Sequence, residues 1–308
     1  MGRYLFRRLL GAIGVILGIS LITFVIVFVM PGDPARLYAG PHADDATVER
    51  IREDWGMNDP ILVQYARYLG RAVQGDLGRS PRDHREILPA ILEHVPATAQ
   101  LAVAGLAVEL AIGVPLGIIA AVRPGSKIDA LATTGALIGL SIPPFLLGLL
   151  LLYFLGFVIP IFPLGGYGTP LHLVLPALTL GLSGGVWYAR ILRNSLLDEL
   201  GGDYIRTARA KGLRERRVLY LHALRNAMLP VVTLAGLDLA GLLGGVVLIE
   251  AVFGWPGIGQ QAWRAIRDQN VPMIMGTVLF AAVCVVFINL VVDLLYVALD
   301  PRVSLTNG

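Results

Sequence analysis

Three carboxylates stand inside otherwise apolar runs of this chain: Glu109, Asp238 and Glu250. A charge at bilayer depth costs on the order of 3 kcal/mol or more, so such a group faces a bundle interior or a water path. The chemistry open to it is electrostatic. A carboxylate lining a path meets the ammonium end of a passing solute, whereas a paired or interfacial one is structural. Asp238 is the first candidate for a path residue. Glu250, at the outer end of its run, and Glu109 follow it. Asp293, near the inner end of the last run, reads as structural. The other unusual stretch is Asp203 to Pro230, a polar island between apolar runs. From Arg190 to Arg225 there are nine Lys or Arg against four Asp or Glu, a balance that holds a short loop on the cytoplasmic side.

Other chemistries are missing from the sequence. There is no Gly-x-x-x-x-Gly-Lys-Ser/Thr phosphate loop, so the chain is not expected to hydrolyse ATP. Neither a His-Glu-x-x-His pair nor a cysteine cluster is present, and no metal is expected. His42, His84 and His94 have no ligand-like spacing, and Cys284 is the single cysteine. Gly181-Leu-Ser-Gly-Gly185 has the spacing of a hydrolase nucleophile elbow. That elbow needs a strand before it and a helix after it, and here it falls in an apolar run, so the match is read as chance.

The elements that must position these groups are membrane helices. The 308 residues are 56% hydrophobic and 15% charged, with mean hydropathy +0.70. Soluble domains carry about 25% charged residues. The net charge of +3 reflects loop asymmetry rather than nucleic-acid binding. Leu9 to Met30 is free of charge, and ~22 residues at ~1.5 Å each span a bilayer. Arg3, Arg7 and Arg8 place the N-terminus inside, and the run reads as an uncleaved first span in which Gly14 and Gly18 allow close helix approach.

Pro31 to Pro96 holds 8 basic and 11 acidic residues and reads as an exported segment. Its helices are expected over Val48–Trp55, capped by Asp45 or Thr47, and over Val63–Val73. Thr98–Val122, Asp129–Phe157 (kinked at Pro143-Pro144), Leu171–Ala189, Leu229–Ala251 and Pro272–Leu299 complete six spans with both termini cytoplasmic. Gly241, Gly244 and Gly245 offer a flat face on the fifth. The division expected is residues 1–97, the first span plus exported segment, and 98–308, a five-span core with the loop 190–228 inside.

Within that loop, Tyr204 to Lys211 has helical composition, Ala208 and Ala210 keep it slim enough to enter a cleft, Gly212 stops it, and Leu213 to Met228 resumes. Asp203-Tyr204 followed by Arg206-Thr207-Ala208-Arg209-Ala210-Lys211-Gly212 resembles the coupling loop of binding-protein-dependent ABC importer permeases, more narrowly their dipeptide/oligopeptide branch. Of the general Glu-Ala-Ala-x-x-x-Gly pattern only Ala208 and Gly212 hold. Where that pattern continues Ile-x-Leu-Pro, this chain has His222, Ala223, Leu224 and Arg225. Both departures are typical of the peptide branch. Pro31-Gly32-Asp33-Pro34, Asp59-Pro60-Ile61-Leu62-Val63-Gln64-Tyr65 and Gly75-Asp76-Leu77-Gly78-Arg79-Ser80 look like the first permease subunit of that branch. So do the stretch from Glu250 to Gly259 and the closing Asp300-Pro301-Arg302-Val303.

The resemblance implies an all-α polytopic membrane protein of the type I ABC importer permease fold, in the plasma membrane of a prokaryote. It implies an inward-moving permease for peptides or similar small solutes, with no catalytic residue or cofactor of its own. ATP and Mg would be bound by two partner ATPase subunits. A homologous second permease, an external solute-binding protein and membrane lipid complete the partners. Asp203 to Leu213 would dock on the ATPase. Trp255, Gln260 and Gln261, in the Gly-rich external loop, are expected to touch the binding protein. The rival reading, an ion-coupled secondary transporter, would use Asp238 and would not need the Asp203–Gly212 loop. Dipeptide, oligopeptide, nickel, glutathione and some oligosaccharide importers share the pattern, so the solute stays open.

Overall fold

The computed structural model describes residues 2–29, 34–39, 43–54, 56–244 and 246–299. Pro31 to Asp33, Trp55, Gly245 and Asp300 to Val303 lie outside the described residues. In chain order the helices are α1 (Gly2–Val29), α2 (Pro34–Ala39), α3 (Asp45–Asp54), α4 (Ile61–Val73), α5 (Ile87–Leu92), α6 (Val95–Val122), α7 (Lys127–Ser141) and α8 (Pro144–Leu151). A wide-turn π stretch, Leu152–Val158, continues α8. Then come α9 (Pro170–Leu200), α10 (Asp203–Ala210) and α11 (Glu215–Arg217), which passes through a second π stretch, Val218–Ala223, into α12 (Leu224–Leu243). The chain closes with α13 (Val247–Phe253), α14 (Ile258–Arg267) and α15 (Val271–Leu299). No strand occurs among the described residues.

Among the described residues, five helical segments are long and apolar enough to cross a membrane: 6–26, 87–122, 170–200, 215–243 and 271–293. Many of their large apolar side chains point outward, including Ile13, Ile22, Val103, Val232 and Phe287. In water that surface would drive association; in a bilayer it faces lipid. The expected third span is divided. α7 ends at Ser141, and Ile142 is extended (φ −93°, ψ 118°) because the ring of Pro143 disfavours helical backbone before it. Pro144–Val158 then forms a 15-residue apolar helix, about 22 Å long, shorter than a bilayer core. The expected fifth span is also divided. α12 stops at Leu243, and the outer part turns away as α13.

α6 and α9 form the central pair, held at close range by glycines on both. A Cβ on Gly113 would lie 2.6 Å from the Gly185 carbonyl oxygen, and one on Gly181 2.1 Å from a Val108 methyl. Small residues let dispersion act over a long seam where lipid removes the hydrophobic drive. Gly181, Gly184 and Gly185, read in sequence as a chance match to a hydrolase elbow, are therefore helix-contact residues of α9. By contrast, Gly14, Gly18 and Gly241 have nothing within 4 Å of a built Cβ and seat no neighbouring helix of this chain. Gly244 does approach α15, 2.8 Å from Val285.

α1 runs beside α15, joined by Arg8 to Asp293 at 3.0 Å. Tyr65 on α4 hydrogen-bonds Ser20 on α1 at 2.8 Å, and its ring packs on Phe24. α3 is capped by Asp44 rather than by the expected Asp45 or Thr47: its carboxylate accepts the Thr47 N–H at 3.2 Å.

Candidate functional site

One end of the bundle is built by α10. Its inward face carries Ile205 and Ala208, both buried against Leu192 and Leu196 of α9 and Val218 of the π stretch. Ala208 is therefore not the small outward residue expected from sequence. Its size serves packing within the chain, and only Ala210 of the two alanines faces out. Asp203, Tyr204, Arg206, Thr207, Arg209, Ala210, Lys211 and Gly212 are exposed, and Leu213 is half-buried. The helix ends as the sequence predicts. Gly212 takes φ +76°, its N–H donates to the Arg209 carbonyl at 2.9 Å, and the Leu213 N–H donates to the Ala208 carbonyl at 3.4 Å. That pair of bonds is a Schellman cap, and glycine takes its left-handed position without strain. Arg209 grips Glu215 across the turn, with Nε 3.1 Å from Oε1, and fixes the angle between α10 and α11. Tyr204 donates to Glu199 and accepts from Asn226, tying α10 to both neighbouring spans. The result is a rigid elbow with a basic outer face.

The bundle interior brings Glu109 and Asp238 near one another. Glu109 on α6 is only 4% exposed, and its carboxyl and that of Asp238 on α12 lie close enough to interact. Tyr188 on α9, fully buried, donates its hydroxyl to Asp238 Oδ2 at 3.0 Å. Sequence reasoning passed over Tyr188. The signal was available, because a tyrosine within a membrane span needs a hydroxyl partner.

Glu250 is elsewhere, beside the start of α14. It is fully buried and does not line an open path within this chain. Its Oε1 accepts the Thr98 hydroxyl at 2.7 Å, and its Oε2 accepts the Gln260 N–H at 2.9 Å, at the start of α14. A Cβ on Gly257 would lie 2.2 Å from Oε1, so the loop approaches only because that residue is glycine. The carboxylate thus satisfies free N–H groups of α14 and favours its dipole. Trp255 is buried as well and donates its indole N–H to the Ala97 carbonyl at 2.8 Å. Of the three residues expected to meet an external partner, Trp255 and Gln260 point into the protein, and Gln261 is half-buried. The exposed residues nearby are Trp263, Arg264 and Ile266 to Arg267.

The segment between α4 and α5 clasps this loop. Asn270 donates to Ser80 at 2.9 Å, and Arg82 pairs with Asp268. The Arg82 guanidinium holds the Asp268 carboxyl below the usual carboxylate range. A lowered folded-state value means that the pair contributes above the unfolded carboxylate range and is lost as pH falls. Protection of the Ser80 amide against hydrogen exchange is expected to drop on acidification, and less so in Asp268→Asn, which lacks the pair from the start.

Sequence comparison decides the family. The binding-protein-dependent transport system inner membrane component pattern matches residues 113–305, and its N-terminal companion matches residues 1–102. The chain belongs to this family. It is a multi-pass inner-membrane permease subunit of an ABC importer. Among its relatives, the oligopeptide transport system permease protein AppB of Bacillus subtilis is 41% identical over 315 residues, covering 99% of this chain and 100% of the relative. The glutathione transport system permease protein GsiC of Escherichia coli K12 is 40% identical over 303 residues, covering 98% and 99%. Among solved structures, the inward-facing MetNI methionine ABC transporter aligns with TM-score 0.57 and 23% identity, over 70% of this chain and 98% of that one. At that identity the likeness carries the permease fold alone.

Proposed function

We propose that this permease moves peptides or similar small solutes inward, driven by ATP that two partner ATPase subunits bind with Mg and hydrolyse. A second, homologous permease and an external solute-binding protein complete the transporter. The observation that carries the reading is the rigid basic elbow of α10, anchored on α9 and the start of α12. ATPase closure pushing on its exposed face, Tyr204, Arg206, Thr207, Ala210 and Lys211, would rotate those two helices as bodies and alternate access to a path between the two permeases. Peptide transport is supported by the names of the AppB and putative peptide permease relatives. The test is reconstitution. Uptake of a dipeptide into proteoliposomes should require ATP and every partner subunit, and a proton or sodium gradient alone should not drive it. Uptake driven by the gradient alone would refute the reading.

The same reading includes six crossings, with α7 and α8 together making one, and cytoplasmic termini. Cysteines at exposed Gln74 and exposed Lys211 are expected to label from opposite sides of the membrane. Labelling of both from one side would overturn that topology.

A further inference from the structure

Glu109 lies 14 residues from the start of α6 and 13 from its end, about 20 Å from either, in the middle of the helix. Among the described residues it has no basic partner. Glu109 is the one charged residue of α6, α9 has none between His172 and Arg190, and α12 has none but Asp238 beyond Arg225. α8 has none at all, and α7 contributes Lys127 and Asp129 at its cytoplasmic start, with Asp129 paired to Arg193. On α15 the first is Asp293, paired with Arg8.

Two neighbouring carboxyls without a cation repel strongly unless one of them holds a proton. The geometry says which group keeps it. Tyr188 aims a hydroxyl at Asp238 Oδ2, a bond that favours the carboxylate form. Glu109 receives no such donor: its Oε2 is buried with no partner, and its carboxyl lies against Gly184, where a Cβ would come within 2.5 Å. The more enclosed group, without donors, suits the neutral acid. Asp238 is half-exposed, and an ionised side chain there must open on an aqueous or ligand-filled space rather than on lipid.

We propose that Glu109 and Asp238 form one ammonium-binding site, in which Glu109 donates a proton to Asp238 and the remaining single negative charge, held by Tyr188, meets the cationic amine of the solute in transit. This rests on the reading of the bundle as a solute path. One charge on the pair matches one ammonium, so the amine of the solute itself supplies the missing cation.

The site predicts an asymmetry between its two acids. Glutamine imitates a protonated glutamic acid, and asparagine does not imitate an aspartate. In the complete transporter with Ala-Ala as the probe, Asp238→Asn should lower maximal uptake at least about tenfold, and Glu109→Gln only about threefold. Glu109→Leu, which cannot hydrogen-bond to Asp238, should fall as far as Asp238→Asn. Recovery of the ATPase subunits with each variant checks assembly. An independent readout needs no transport. The infrared difference between wild type and Glu109→Gln at neutral pH should show the carbonyl band of a protonated acid, shifted in heavy water. The bands of an ionised carboxylate in that difference would overturn the proposal, as would equal losses in Glu109→Gln and Asp238→Asn. Equal losses are the result expected if Glu109 were instead an anion paired with a basic residue of the second permease. ATP-independent uptake by wild type would refute the functional reading and leave the infrared result to decide the pair.

Discussion

Replacing Ala208 with Arg is expected to abolish uptake by detaching α10 from its own bundle. Ala208 is 7% exposed and packs beneath the elbow with Ile205, Val218 and Ala223. An arginine there adds volume to a close-packed layer and a charge with no carboxylate facing it, each costing on the order of 1–3 kcal/mol or more. The burial of Ile205 that holds the helix down contributes about 1.5–3 kcal/mol. The cost therefore exceeds the gain, and α10 should swing free while the spans stay inserted. The expected results are loss of ATPase co-purification and rapid proteolysis between residues 200 and 217. Ala210→Arg, on the exposed face, should leave the elbow folded and act only through contact with the partner. Gly212→Val, which forces a branched residue to φ +76°, should cost about 1–2 kcal/mol and loosen the turn less completely. If Ala208→Arg recruited the ATPase normally and transported at the wild-type rate, α10 would not be the coupling element.

Replacing Glu250 with Ala should release the external loop. The substitution strands the Thr98 hydroxyl and the Gln260 N–H, two buried donors now bound to one carboxylate. Each unsatisfied donor costs about 1–3 kcal/mol, so a total loss of about 2–6 kcal/mol is expected. It also removes the anion from the start of α14. Hydrogen exchange across residues 250 to 267 should rise sharply, while exchange in α6 and α9 stays slow. Uptake driven by the binding protein should fall with it if this loop receives the solute. Glu250→Gln keeps one acceptor and should lose less. Wild-type protection in Glu250→Ala would show that Trp255 and its bond to Ala97 hold the loop without help.

Which features the sequence determined follows from how local their causes are. Apolar runs long enough to span a bilayer, and a basic loop between two of them, depend on composition alone. So does the elbow. Ala-rich helix, Gly212 and a resumed helix are neighbours in the chain, and a left-handed cap needs only a glycine at the right step. α3 and α4 came out within a few residues for the same reason.

The tertiary structure decided where side chains point and whom they meet. Ala208 is small on either face of α10, and only packing on Leu192 and Val218 turns it inward. Hydropathy shows the Asp129–Phe157 and Leu229–Ala251 runs as continuous, yet backbone geometry at Ile142 and at Val246 (φ −87°, ψ 68°) divides them. The three carboxylates look alike in sequence, each one charge in an apolar run. Their roles separate only through partners far along the chain: Glu250 meets Thr98 across 152 residues, and Tyr188 reaches Asp238 across 50. A membrane-buried charge must be compensated, which the sequence can require. What compensates it depends on which helices pack together, and the glycine seam between α6 and α9 sets that arrangement.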